Sequence, residues 1–170
     1  MNRSDVLIIG AGPTGLVLAL WLSKLGVRVR IIDKTSAPGT TSRALAVQAR
    51  TLELYRQLDL ADTIVRRGHQ VAAANFWVNG KPVAQLPLKR IGEGLTPYAF
   101  VEIFPQDEHE RLLLERLEDY GVSVERNTAL DSFEETGDTL TAHLRLPDGR
   151  QEVCQACYLA GCDGARSVVR

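Results

Sequence analysis

This chain lacks an excess of either charge: 20 lysines and arginines meet 21 aspartates and glutamates, for a net charge of −1. Without a positive excess there is no electrostatic case for nucleic acid or an anionic membrane surface as partner. Long apolar runs are missing as well. The longest, Leu16 to Leu22, falls far short of a bilayer span. The first expected strand starts at Asp5, which leaves no room for a secretory leader, so a reducing cytoplasm is the expected compartment. Histidine and cysteine are scarce, with three of each. His69, His109 and His143 fall into no shared pattern. No Ser/His/Asp set, catalytic carboxylate pair or metal-ligand spacing stands out. Cys154 and Cys157 lie three apart with Cys162 beyond them, but the segment reads as strand, where residues three apart face opposite ways. A zinc site would need a fourth ligand. These thiols are expected to be packing residues.

What the chain does have is concentrated at its start. Asp5 to Ile9 is a short apolar strand. Gly10-Ala11-Gly12-Pro13-Thr14-Gly15 follows directly. Leu16 to Leu25 reads as a helix closed by Gly26, and Val27 to Ile32 as a second strand ending on Asp33. This strand, glycine turn, helix, strand and acid arrangement binds dinucleotides. Gly10 permits the tight turn, Gly12 lets a pyrophosphate approach the backbone, and Gly15 lets the helix pack closely. The helix start offers unpaired N–H groups to phosphates. Asp33 can accept hydrogen bonds from a ribose, with Lys34 beside it. These residues alone leave FAD and NAD(P) equally open.

Further along, residues 34–42 form a polar loop, and Thr51 to Leu60 a helix burying Leu52, Tyr55, Leu58 and Leu60. Val71 to Val78 and Pro82 to Leu88 read as a hairpin around Asn79-Gly80, the second run demoted to an edge by Pro82 and Pro87. Ala99 to Phe104 reads as another strand. Gln106 to Tyr120 is a helix with Leu112, Leu113 and Leu117 inward, ended by Gly121. Val122 to Arg126 is a strand. Thr139 to Leu146 and Gln151 to Cys157 flank a Pro147-Asp148-Gly149-Arg150 turn. Tyr158 to Cys162 is a short strand, and Asp163-Gly164 opens a helix. Trp21 and Trp77 read as packing residues, and Arg50 as a surface charge. The fold class expected is α/β: a Rossmann-like domain with a parallel sheet, β-hairpin insertions and the start of a second sheet. The organisation expected is a nucleotide-binding part over 1–69, an inserted block over 70–104 and a return over 105–170. The opening helix at the end suggests a polypeptide cut from a longer one.

Taken together, the glycine motif, Asp33, the segment Ser42-Arg43-Ala44-Leu45-Ala46-Val47-Gln48-Ala49-Arg50-Thr51-Leu52-Glu53, the segment Pro105 to Leu113 and the segment Gly161-Cys162-Asp163-Gly164-Ala165-Arg166-Ser167-Val168-Val169-Arg170 resemble the N-terminal part of the class A flavoprotein monooxygenases. These are FAD-dependent aromatic hydroxylases related to para-hydroxybenzoate and phenol hydroxylases. The resemblance covers the whole chain. It implies that Gly10, Ala11, Gly12, Pro13, Thr14 and Gly15 hold the FAD pyrophosphate and Asp33 the adenosine ribose, with Lys34 adjoining. It implies that Arg43 meets the FAD phosphates near the nicotinamide path, that Gln106 bonds the ribityl or ring region, and that Asp163 supports the pyrophosphate. Residues 70–104 would begin the substrate domain. The implied activity is hydroxylation of a phenolic or polycyclic aromatic substrate: NAD(P)H reduces FAD, O₂ adds, and a flavin hydroperoxide delivers oxygen to the ring. The family's later Gly-Asp motif is not in the chain, so the 170 residues alone are expected to be inactive. Alternatives from other classes are another FAD oxidoreductase, such as a halogenase or amine oxidase, and a nucleotide-binding module without turnover.

Overall fold

The computed structural model describes residues 3–39 and 46–169, which divide into two units. The first holds the chain up to Thr40 and from Glu110 onward; the second holds Thr41–His109. Arg43 lies outside the described residues.

The first unit is built on a six-stranded sheet. Its elements begin with β1 (Arg3–Ile9), α1 (Pro13–Lys24) and β2 (Val29–Ile32). In the second unit follow β3 (Ala46–Val47), α2 (Ala49–Arg56), α3 (Ala61–Arg67), β4 (His69–Val71), β5 (Ala73–Val78), β6 (Lys81–Pro87) and β7 (Val101–Ile103). Helix α4 (Gln106–Glu118) runs across the division, and β8 (Val124–Glu125), β9 (Ala129–Thr136), β10 (Thr139–Arg145) and β11 (Gln151–Gly161) complete the first unit. The sheet order is β8-β2-β1-β11-β10-β9. The first four strands are parallel, and β10 and β9 add on antiparallel. The parallel sheet expected from the sequence is thus the core of a mixed one.

Strand β1 is buried on both faces, as an inner parallel strand must be. Leu7 and Ile9 join a cluster with Ile32, Leu130, Leu140, Ala142, Leu144 and Cys154, while Val6 and Ile8, of opposite parity, are also buried. Helix α1 buries Gly15, Leu16, Ala19 and Leu20 and ends in the left-handed Gly26. Arg30 of β2 is buried, and its guanidinium is shared between Glu125 of β8 and Glu152 of β11 at 2.7 Å each. Those two carboxylates hold it more strongly protonated than a free arginine, against the opposing effect of burial.

The second unit has a three-stranded sheet, β3-β7-β4, and a separate β5-β6 hairpin. Its core is Leu52, Tyr55, Leu58, Leu60, Ile64 and Phe104. The Tyr55 hydroxyl meets His109 Nε2 at 2.8 Å. Asn79 and Gly80 both have positive φ, the geometry of a type I′ turn. Trp77 departs from the packing role expected of it, being 62% exposed on the hairpin. In the middle strand β7, Glu102 is fully buried with neither carboxylate oxygen hydrogen-bonded. Burial raises its pKa, with His69 pulling the other way. A side chain at Gly68 would overlap the Glu102 carboxylate, so glycine is the residue that leaves it room.

Several boundaries differ from the sequence reading. The helix expected over 51–60 is α2, which stops at Arg56, and a further short helix, α3, follows. The two segments expected at 151–157 and 158–162 are one continuous strand, β11. The expected helix after Asp163 is a single 3₁₀ turn, Gly164–Arg166. Cys154 is buried and Cys157 half-buried along β11, and all three thiols are free.

Candidate functional site

Three chain segments converge at the C-terminal end of the parallel strands. Gly10 N–H donates to Ile32 O at 2.8 Å, and Cys162 N–H donates to Ile9 O at 2.7 Å, so β1 leaves the sheet between the ends of β2 and β11. Gly10 turns with φ +101°, and a Cβ there would lie 2.5 Å from the Cys162 carbonyl oxygen. A Cβ at Gly15 would overlap the Gly10 carbonyl oxygen. Gly10 and Gly15 are therefore required by packing. Gly12 is different: its φ of −75° suits any residue, and a Cβ there would meet nothing within 4 Å. The space beside Gly12 is open where the other two glycines are filled against.

Gly12 is also the N-cap of α1, and Pro13 opens the helix. The first intrahelical bond runs from Leu16 N–H to Gly12 O at 3.0 Å. That leaves the N–H groups of Gly12, Thr14 and Gly15 without helical acceptors, while Pro13 has none to offer. No side chain caps this end and no acid lies in its first turn. The positive end of the helix is thus left for an external anion.

Around the same opening is a cavity of about 280 Å³. Gly10, Gly12, Asp33, Lys34, Cys162 and Asp163 line it together with Thr128 to Leu130. Ala11 belongs to the turn itself; its N–H donates to Asp33 Oδ2 at 2.6 Å. Burial pushes the Asp33 carboxyl pKa up, but the Thr35 hydroxyl, the Ala11 and Thr35 N–H groups and the nearby Arg126 outweigh it, and the net shift is downward. Asp163 Oδ2 accepts from Val168 N–H at 2.9 Å, which folds the 163–168 turn over its own carboxylate. Burial raises this pKa too, and Ser167, the Val168 N–H and Lys34 bring it below the ordinary value. The neighbouring Cys162 thiol is pushed up by burial and by Asp163, which makes it a poor thiolate at neutral pH.

The sequence-selected residues therefore divide. Gly10, Ala11, Gly12, Pro13, Thr14, Gly15, Asp33, Lys34 and Asp163 belong to one end of the first unit. Gln106 is the first residue of α4 and lies in the second unit. Two contributors were not selected from the sequence. Thr35 and Arg126 lie directly behind Asp33, with Arg126 Nη1 3.9 Å from its Oδ1. Thr35 reads as a loop residue and Arg126 as the end of a strand, and only the pairing of β2 with β8 brings them together. Among the described residues no group of histidine, cysteine and carboxylate side chains could hold a metal ion.

The donor set tests well against a dinucleotide. It combines a bare helix N-terminus, an open glycine, an ionised acid for sugar hydroxyls and apolar wall from Ile9, Leu130 and Val168. Comparison with known proteins agrees. The chain is 43% identical over 166 residues to 6-methylpretetramide 4-monooxygenase of Streptomyces rimosus, covering 98% of this chain and 29% of that protein. It is 35% identical to a rifampicin monooxygenase of Rhodococcus hoagii, covering 98% of this chain and 33% of that one. Among solved structures, p-nitrophenol 4-monooxygenase PnpA from Pseudomonas putida DLL-E4 superposes with a TM-score of 0.92 at 27% identity, covering 100% of this chain and 43% of that one. Aklavinone-11 hydroxylase in complex with FAD and aklavinone superposes with a TM-score of 0.86 at 31% identity, covering 99% of this chain and 34% of that one. The chain spans about a third of the length of the curated relatives it matches. The family described as the FAD binding domain matches residues 3–170, and the chain belongs to that family.

Proposed function

We propose that this chain is the FAD-binding part of an NAD(P)H-dependent monooxygenase that hydroxylates a phenolic or polycyclic aromatic substrate with O₂. The observation that carries the reading is the contrast among the glycines: Gly10 and Gly15 are closed by packing, while Gly12 faces open space at an uncapped helix N-terminus. In this reading Gly10 to Gly15 receive the FAD pyrophosphate and Asp33 the adenosine ribose, with Lys34 beside it. Asp163 shapes the turn that closes the phosphate end. Arg43 and Gln106 are assigned by the family resemblance to the phosphates and to the ribityl or ring region. Bound FAD supplies the redox chemistry, using electrons from NAD(P)H to activate dioxygen; the protein supplies position and shielding from water. Residues 1–69 and 105–170 form the nucleotide-binding parts and 70–104 the start of the substrate domain. The names of the relatives, which include pentachlorophenol 4-monooxygenase and anhydrotetracycline monooxygenase, support the substrate class. The three free thiols support a reducing compartment, the cytoplasm. No helix among the described residues is long and apolar enough to cross a membrane.

One relative favours a second reading. A dialkyldecalin synthase of Streptomyces rugosporus is 34% identical over 167 residues, and its name describes no oxygen insertion. The test is a visible spectrum of the purified chain titrated with FAD, then NAD(P)H oxidation with a panel of phenols in the longest available form of the protein. Co-eluting flavin with phenol-stimulated NAD(P)H consumption and a hydroxylated product supports monooxygenation. Bound flavin with no such product in that form favours the second reading.

A further inference from the structure

The Asp33 carboxylate is already engaged. Its Oδ2 accepts from Ala11 N–H at 2.6 Å, and its Oδ1 accepts from Thr35 N–H at 2.8 Å. The Thr35 hydroxyl lies 2.6 Å from the same Oδ1 and 3.0 Å from the Ala37 carbonyl. Its single proton goes to the nearer, charged acceptor. A carboxylate offers about four acceptor positions, two on each oxygen. Oδ1 is therefore full, and one position remains, on Oδ2.

A second layer holds this arrangement. Arg126 follows β8 and reaches Thr35 Oγ1 at 3.4 Å. The backbones run together there, with Asn127 N–H on Thr35 O at 3.2 Å and Thr128 N–H on Asp33 O at 3.0 Å. Asn127 takes a left-handed φ of 55°, which turns the chain at this point. The Arg126 Nη2 is buried with no hydrogen-bond acceptor. The Nη1 of the same guanidinium lies 3.4 Å from Thr35 Oγ1 and 3.9 Å from Asp33 Oδ1.

We infer that Thr35 and Arg126 are positioning residues that saturate one oxygen of Asp33, so that Asp33 reads a single ribose hydroxyl of an adenosine nucleotide instead of the vicinal pair. This rests on the reading of Asp33 as the ribose acceptor. The charged groups around Asp33 are Arg126, 3.9 Å from its Oδ1, and Lys34 and Asp163, which line the same cavity; the turn into α1 meets it through the Ala11 N–H.

The test uses the 170-residue chain with ADP, 2′-deoxy-ADP and 3′-deoxy-ADP in titration calorimetry. One analogue is expected to bind about tenfold or more weakly, since it loses a hydrogen bond to a charged group, and the other within about threefold of ADP. In Thr35→Val the hydroxyl is lost while the Thr35 N–H stays on Oδ1, so one position on Oδ1 opens and the gap between the two analogues shrinks below about threefold; Thr35→Ser restores it. In Arg126→Met, ¹³C NMR of the ligand-free chain shows the Asp33 carboxyl titrating at higher pH than in the parent, and Arg126→Lys returns it toward the parent value. Equal losses with both analogues in the parent overturn the single-hydroxyl inference and leave Asp33 as a ribose acceptor. No loss with either, while ADP binds, overturns the ribose assignment itself, and an absence of ADP binding overturns both. An unmoved Asp33 titration in Arg126→Met, with the fold intact by circular dichroism, removes Arg126 from the arrangement.

Discussion

Gly12→Ala and Gly15→Ala make opposite demands on the same turn. At Gly15 a Cβ would collide with the Gly10 carbonyl and come 3.3 Å from the Cys162 Cβ. The obstruction is backbone on one side and a strand end on the other, so neither can swing away. Forced overpacking of this kind costs about 1–3 kcal/mol, and a backbone collision belongs at the upper end. With a urea dependence of about 1.5 kcal/mol per molar, the midpoint falls by about 2 M. At Gly12 a Cβ meets nothing within 4 Å and the backbone already suits alanine. The loss of unfolded-chain freedom stabilises, the poorer N-cap destabilises, and the net change stays within about 0.5 kcal/mol. If Gly12 receives the pyrophosphate as proposed, that Cβ stands in its way, and ADP or FAD affinity falls at least about tenfold. The chain has two tryptophans, and in a Trp77→Phe background Trp21 of α1 reports on the first unit alone. Urea denaturation followed by Trp21 fluorescence and ADP titration of the same samples give both quantities. The reasoning fails if Gly12→Ala loses as much stability as Gly15→Ala, or if it binds nucleotide as the parent does.

Arg30→Ala removes the cation between Glu125 and Glu152 and leaves two facing carboxylates; a loss of about 3 kcal/mol is expected in urea denaturation at pH 7, and a change below about 1 kcal/mol would remove this triad from the stability account. Glu102 has its folded pKa raised by burial, so its penalty is absent below the ordinary carboxyl pKa and grows as pH rises from there through the raised value. Glu102→Gln should therefore stabilise the second unit at pH 8 and leave it nearly unchanged at pH 4, as read from hydrogen exchange of the β4 and β7 amides. Asp33 has the opposite sign: its lowered pKa gives stability that is full above the ordinary carboxyl pKa and lost as pH falls through the folded value. Asp33→Asn should flatten that acid limb in urea midpoints between pH 2 and pH 6. Tyr55→Phe removes the hydroxyl facing His109 and should cost the second unit about 1 kcal/mol in urea denaturation.

The parts of the fold that sequence made legible are those where local chemistry and tertiary demand coincide. Gly10, Gly12 and Gly15 announce the turn because two of them have no room for a side chain and the third must leave space. Asn79-Gly80 announces a hairpin because both residues take positive φ. Helix α4 shows in its leucines because its stripe is narrow and continuous. Strand β9 did not show, since Asp131 to Thr136 is largely exposed and carries no alternation of apolar residues. Helix α3 did not show because Ala61 and Ile64 are its only buried residues. Glu102 could not be foreseen as a core residue, since nothing in Val101-Glu102-Ile103 says which face will be covered. Thr35 and Arg126 stayed hidden for a different reason: their role exists only once strands far apart in sequence are paired. The residues proposed for the site show in sequence because they lie at strand ends with glycine or acid; Thr35 and Arg126, beside Asp33, carry no such signal.

Pairing between β1 and β11 has a consequence in time. Ile9 lies opposite Gly161, so the centre of the first sheet cannot close until the chain has been made as far as β11. Contacts of such long separation are slow to form, because the chain between them must be gathered before the pairing rewards it. The second unit, drawn from the continuous stretch Thr41–His109, carries no such wait. On the ribosome it can order first, while β1 and its glycine turn stand with an open flank until β11 emerges. The turn that follows β1 would then be closed on its β11 side only once β11 has emerged.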